Sequence, residues 1–409
     1  MGEVLGISFR CLLWHDEAMR IVLVGPAHPH RGGIAHYTAS LFKSLQSAGH
    51  SVSLISFSRQ YPGLFFPGRT QHDESGVPLQ VDCERLLDSI APRSWKQVAD
   101  RICELEPDAV LFQWWQPFFS LAYCSIIRRL KRRRKTPVLF LCHNILSHPE
   151  AVIPGRESFE YFLTRLAFRS ADGFLVHADQ MIPAVKRLNP RGLIRKIYHP
   201  LYDFYGKWDA SPNGGPEPCS AEPTLLFFGT IRRYKGLKTL LEGLAVLKKS
   251  MGFKAVIAGE FYVDPAPYYR LAERLGLDGY LDWNDHYIPN EEVPALFRAA
   301  DLVVLPYREA TQSGVVSVAY QFEVPVVATE VGGLAEVVRQ GETGYLVPPA
   351  DPDALAAKIH QFFSENRKAE FRRNIVSFRE RLTWGQVVSS IEELVQELNN
   401  PEDNHGKKR

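Results

Sequence analysis

From Met19 the chain alternates short apolar runs with amphipathic stretches. MRIVLVG ends in glycine, PAHPHRGG is a Pro/Gly loop, IAHYTASLFKSLQSAGH has helical spacing, and SVSLISF is apolar again. Further apolar runs lie at 108–114 (DAVLFQW), 137–144 (PVLFLCHN), 173–177 (GFLVH) and 194–200 (IRKIYHP), with helical patterns between several of them. Short apolar runs that alternate with helices predict parallel strands covered on both faces. Residues 206–223 (GKWDASPNGGPEPCSAEP) are rich in Pro, Gly and Ser and read as a linker. The pattern then restarts with TLLFFG (224–229), a helix from about Leu237, KAVIAG (254–259), LVVLPY (302–307) and PVVAT (325–329). The prediction is an α/β chain with two doubly wound domains, 19–205 and 224–380, facing each other across a cleft. The helical pattern at 381–398 is expected to pack back on the first domain. Residues 1–18 and 399–409 read as disordered extensions.

Composition narrows the class. The 409 residues suit two or three domains, and 45% hydrophobic with 23% charged residues is the balance of a globular protein. A net charge of +2 gives no overall pull toward nucleic acid or membrane. The six cysteines form no C-x-x-C pair, which argues against a zinc site or disulfide framework and fits a reducing cytosol. No apolar run reaches the roughly 18–20 residues of a membrane span, and 1–18 is a poor match to a signal peptide. The expected location is cytoplasmic, with the inner membrane face as a variant of it.

Two loops carry candidate chemistry. In GTIRRYKGLKTL (229–240), Arg232, Arg233 and Lys235 lie between a strand and a helix, where cations and first-turn amides make a diphosphate site; a solvated basic turn is the plain alternative. In PYREATQSGVV, Glu309 is followed by Thr311, Gln312, Ser313, Gly314 and Val315 at the mouth of a helix. Free amides there can donate to phosphate oxygens. Ordinary N-capping by Ser313 or Thr311 is the alternative.

Together, RGG near the start, CHN (142–144), G-x-x-R-x-x-K-G (229–236), the Glu309–Gly314 loop, PVVAT, GGLAEVV and GETGYLVPPAD resemble glycosyltransferase family 4. The resemblance runs from Met19 to about Leu398. It implies the GT-B fold, two Rossmann-like domains with the acceptor on the first and a nucleotide-diphosphate sugar on the second. On that resemblance Lys235 binds the diphosphate. Gly229 opens the donor loop, and Thr230 replaces the usual Arg after it. Arg232, with Arg233 as second candidate, stands in for that Arg. Gly32 and Gly33 approach the phosphates and sugar, and His143 contacts the sugar ring, with a structural His near a strand end as the alternative. Glu309 faces the sugar or sits one residue off register, since counting back from Pro325 puts the family's acid pair at Ala310 and Val318. The family's second acid, eight residues after Glu309, is Ser317 here, which puts ribose recognition in doubt. For the glycine pair 332–333 and Glu336, a plain strand-to-helix turn and a ligand contact weigh equally.

The implied activity is glycosyl transfer to a saccharide or lipid-linked saccharide, retaining and with no metal or other cofactor. The alternative is a non-catalytic sugar-nucleotide-binding or scaffold protein of the same fold. A nicotinamide dehydrogenase would need G-x-G-x-x-G where this chain has GPAHPHRGG. Asp351 and Asp353 read as a turn and helix cap rather than a metal motif. The basic run Arg128–Lys135, next to the aromatic QWWQPFF (113–119), suggests contact with an anionic membrane; a solvated helix face is the alternative. No nucleic-acid partner is expected.

Overall fold

The computed structural model describes residues 18–63, 68–146, 155–208 and 222–400. Most of the linker and of both termini falls outside these residues. The first half contains β1 (Arg20–Val24), α1 (Gly33–Ser47), β2 (Ser51–Arg59), β3 (Glu84–Asp88), α2 (Pro92–Leu105) and β4 (Ala109–Trp114). It continues with α3 (Ser120–Lys131), β5 (Val138–Cys142), α4 (Arg156–Phe168), β6 (Gly173–Val176), α5 (Met181–Leu188) and β7 (Leu193–Lys196). These strands form a seven-stranded sheet in the order β3-β2-β1-β4-β5-β6-β7. Every pairing is parallel.

The second half contains β8 (Thr224–Phe228), α6 (Leu237–Leu247), β9 (Lys254–Ala258), α7 (Ala266–Arg274), β10 (Leu281–Asn284) and α8 (Val293–Ala299). After these come β11 (Leu302–Leu305), α9 (Gly314–Gln321), β12 (Val326–Thr329), α10 (Leu334–Val337) and β13 (Gly344–Val347). Helices α11 (Pro352–Ser364), α12 (Lys368–Arg379) and α13 (Trp384–Asn399) close the chain. The sheet is six-stranded and parallel, in the order β10-β9-β8-β11-β12-β13. The chain is thus an α/β protein of two doubly wound units.

The central strands explain themselves: AVLFQW of β4 and VLFLC of β5 are buried at every residue, so helices must cover both faces. Strand order reverses between β1 and β4 in one sheet and between β8 and β11 in the other. Connections leaving a reversal point go to opposite faces, which leaves a crevice at the carboxyl ends of the strands.

Helix α13 packs on the first sheet, not the second. The Trp384 indole donates to the Leu201 carbonyl at 3.0 Å, and the Glu392 carboxylate lies 2.9 Å from His50 Nε2. Among the described residues no helix is long and apolar enough to cross a membrane.

Candidate active site

The loops after β8 and β11 sit side by side at the reversal point of the second sheet. The Arg308 amide donates to the Tyr234 carbonyl at 2.7 Å. Gly236, at φ 72°, starts α6 under Pro306; a Cβ there would lie 1.8 Å from the Pro306 carbonyl oxygen. Only glycine combines that left-handed conformation with so close an approach. The same crowding brings Lys235 under the second loop. Its Nζ lies 5.6 Å from the centre of the Tyr307 ring and 2.9 Å from where a Gly229 Cβ would be. That hypothetical Cβ is also 3.8 Å from Val315 Cγ2, so Gly229, Lys235 and the start of α9 enclose one space.

Lys235 is only 7% exposed, and no carboxylate pairs with it among the described residues. Burial, with repulsion from Arg232, holds its ammonium down to about 7. A cation this buried with no carboxylate beside it is costly to the empty fold. Arg232 stacks on Tyr262 at 4.8 Å. Arg233 opens a short 3-10 turn and is exposed.

On the second loop, the Ser313 hydroxyl caps α9 by accepting the Val315 amide at 3.3 Å. That amide is therefore engaged within the helix cap. Gln312 Oε1 is buried without a hydrogen-bond partner among the described residues. Glu309 is exposed at the rim, and the Thr311 carbonyl accepts the Gly333 amide at 3.0 Å. Ser317, at the position of the missing acid, is 2% exposed and lies 3.1 Å from His199 Nδ1.

The first domain closes over these loops. Gly32, at φ 104°, precedes α1, whose first turn has no side-chain cap. The Tyr202 hydroxyl stands between the two helix starts: it is 3.4 Å from the Gly33 carbonyl, and a Cβ on Gly314 would meet it at 3.0 Å. His143 follows β5 and is 3% exposed; its Nε2 lies 2.7 Å from Gln113 Oε1. Burial, reinforced by His199, lowers His143 to about 3, so it is neutral. His143, His177 and His199 surround Tyr37 with ring centres 4.8, 5.5 and 5.2 Å away.

Several contacts that single-sequence reasoning did not pair hold the cleft together. Arg31 pairs with Glu260 where both side chains are 5% exposed, and it donates to the Tyr262 hydroxyl at 3.1 Å. Arg31 lies inside the quoted RGG, and Glu260 follows the glycine that ends β9; neither has a local signal of its partner. Asp73 accepts from Tyr287 at 2.9 Å, and the Asn290 amide donates to Ser75 at 2.9 Å. Glu336 accepts the Asp179 amide at 2.8 Å and pairs with Lys196 at 2.6 Å. A Cβ on Gly333 would press on Ala178 Cβ at 3.0 Å, so this glycine pair lets the two domains touch. Asp351 caps α11 by accepting the Ala354 amide at 2.9 Å.

Comparison with known proteins agrees with this architecture. The family model described as Glycosyltransferase Family 4 matches residues 31–201, and that described as Glycosyl transferases group 1 matches 222–365. A D-inositol 3-phosphate glycosyltransferase of Corynebacterium efficiens is 28% identical over 187 residues, 44% of this chain and 44% of that protein. The match therefore spans less than half the length of that curated relative. Sucrose-phosphate synthase from Thermosynechococcus elongatus superposes with a TM-score of 0.68 at 18% identity, covering 94% of this chain and 100% of the other. Anabaena Alr3699/HepE in complex with UDP gives 0.67 at 19% identity, covering 92% and 100%. The chain belongs to the group 1, family 4 glycosyltransferases and has their GT-B fold.

Proposed function

We propose that this member of the glycosyltransferases moves a sugar from a nucleotide-diphosphate donor to a saccharide or lipid-linked saccharide, with retention and without a metal ion. The observation that carries the reading is Lys235: a buried cation with no acidic partner among the described residues, facing Gly229 and the start of α9. Breaking the bond between the sugar and the diphosphate develops negative charge on the departing group. The Lys235 ammonium, Arg232 and the Gly314 amide stabilise that charge more in the transition state than in the bound donor. In retention the acceptor oxygen bonds the anomeric carbon on the face the diphosphate leaves, and the acceptor proton passes to the diphosphate. Neutral His143 then serves as a hydrogen-bonding wall for the sugar, not as a base.

The similarity to a structure that holds UDP makes uridine the first base to test. Calorimetry with UDP, GDP, ADP and TDP, followed by assay of released nucleotide from the matching sugar nucleotides, tests the reading. Absence of binding by all four overturns it. Tight binding with no turnover, in water or with acceptor extracts, replaces it with the scaffold reading. The position of Ser317, engaged by His199 where a ribose-binding acid is usual, is what keeps that second reading in view.

A further inference from the structure

The first domain bears an exposed apolar face that neither the cleft nor the core uses. Phe159 and Phe162, one helical turn apart on α4, are 62% and 61% exposed, and Leu121 on α3 is 53% exposed. Phe118 and Leu146 join them at the rim. Helix α4 packs on α3 and on the 3-10 turn of Pro117–Phe119, which places these side chains at the same end of two neighbouring helices. That end is the cleft end, since α3 follows the carboxyl terminus of β4. Phe118 also packs 5.6 Å from Tyr61, which feels the charge of Arg232 in the donor loop.

The rest of each helix stripe is cationic. On α3 the outward positions run from Leu121 to Arg128 and Arg132; on α4 they run from Phe159 and Phe162 to Arg165 and Arg169. None of these four arginines has an ion pair among the described residues. Glu157 and Glu160 are the acids of the first α4 turns.

Only part of the basic run 128–135 belongs to this face, through Arg128 and Arg132. Lys131, Arg133 and Arg134 are paired with Asp172, Asp100 and Glu106. Trp114, Trp115 and Phe119 of the aromatic run are in the core. The free charge and free aromatics are therefore divided between α3 and α4.

We propose that the outward stripes of α3 and α4 form a docking face for an anionic lipid bilayer. Phe118, Leu121, Phe159 and Phe162 enter the headgroup boundary, and Arg128, Arg132, Arg165 and Arg169 meet lipid phosphates. A face with aromatic side chains at one end and unpaired arginines along the same stripe suits that partner better than an apolar protein groove. Because the apolar end borders the cleft, docking presents the acceptor side of the cleft to the bilayer. The proposal thus gives the glycosyl-transfer reading a lipid-linked acceptor. It rests on that reading only for this consequence, because vesicle binding is measured without turnover.

The test is flotation of the full chain with phosphatidylcholine vesicles and with vesicles containing added phosphatidylglycerol. Co-flotation with the anionic vesicles is expected. Phe159→Ser/Phe162→Ser should weaken it at least about tenfold. Arg128→Glu/Arg165→Glu should abolish the preference for anionic lipid. Nucleotide release from a sugar nucleotide, measured without lipid, should stay unchanged in both variants. If that release is absent in the wild type while vesicle binding survives, the enzyme reading fails and the docking face stands. Equal recovery with both vesicle types, or undiminished binding by the Phe variant, overturns the proposal. So does a concentration-dependent dimer that the Phe variant converts to monomer, because the face then belongs to a second copy.

Discussion

Replacing Lys235 by Met removes an ammonium and keeps the length of the side chain. Folding holds this ammonium down to about 7, from an ordinary value of 10.5. Each unit of displacement is worth about 1.4 kcal/mol, so the buried charge costs the empty fold as much as about 4 kcal/mol near neutral pH. Met at this place packs against Gly229 and Tyr307 without that cost. Lys235→Met is therefore expected to be at least as stable as the wild type when empty. A charge-assisted bond to the diphosphate contributes about 1.5–3 kcal/mol, so donor affinity should fall roughly 10- to 150-fold. The wild type should also show a pH signature. The donor binds the protonated amine, which the empty site loses as pH rises through about 7. Affinity for a sugar nucleotide should then weaken by about thirtyfold between pH 6 and pH 8.5, with the variant flat over the same range. Isothermal calorimetry across that range and thermal unfolding of both empty proteins give the readouts. A destabilised variant that keeps wild-type affinity would show that Lys235 is structural and refute the argument.

Other expectations follow from the same geometry. Arg31→Ala takes the ion pair from the buried Glu260 carboxylate, which among the described residues keeps only the Arg69 amide bond at 2.9 Å; this should cost about 3 kcal/mol in denaturant unfolding, and a loss below 1 kcal/mol would contradict the buried-pair account. Gly236→Ala forces a Cβ against the Pro306 carbonyl in a left-handed backbone, so a loss of roughly 2–3 kcal/mol and weaker donor binding are expected from thermal unfolding and calorimetry. Burial, with His199 adding repulsion, lowers His143 to about 3, and burial lowers His199 to about 4. The unfolded chain then binds more protons below the ordinary value of 6.5, and stability falls as pH drops from there toward 4. At pH 5 the loss should approach about 2 kcal/mol per ring, and a flat stability profile between pH 7 and pH 5 would count against the cluster. Glu336→Ala removes the contacts of Glu336 with the Asp179 amide and with Lys196, which keeps its pair with Asp179; a larger radius of gyration in small-angle scattering of the empty protein is expected, and no change would show that the other domain contacts suffice.

The sequence by itself determined the paired parallel sheets, because their central strands need apolar side chains on both faces and so appear as continuous runs. It did not mark β3 (ERLLD), β10 (LDWN) or β13 (GYLV). These are short; β3 and β10 are sheet edges only half covered, and their mixed composition is what an edge tolerates. The two loops after β8 and β11 were legible as well, since glycine and cations between a strand and a helix have a local meaning. Only the tertiary structure decided how those residues are employed. It buried Lys235 without an acid among the described residues, engaged the Val315 amide in the Ser313 cap, and set Glu336 to clamp Asp179 and Lys196. It also joined Arg31 to Glu260, residues 229 positions apart. Burial and charge pairing are properties of a place, set here by loops from different strands and by the meeting of two domains; no window of neighbouring residues carries that information.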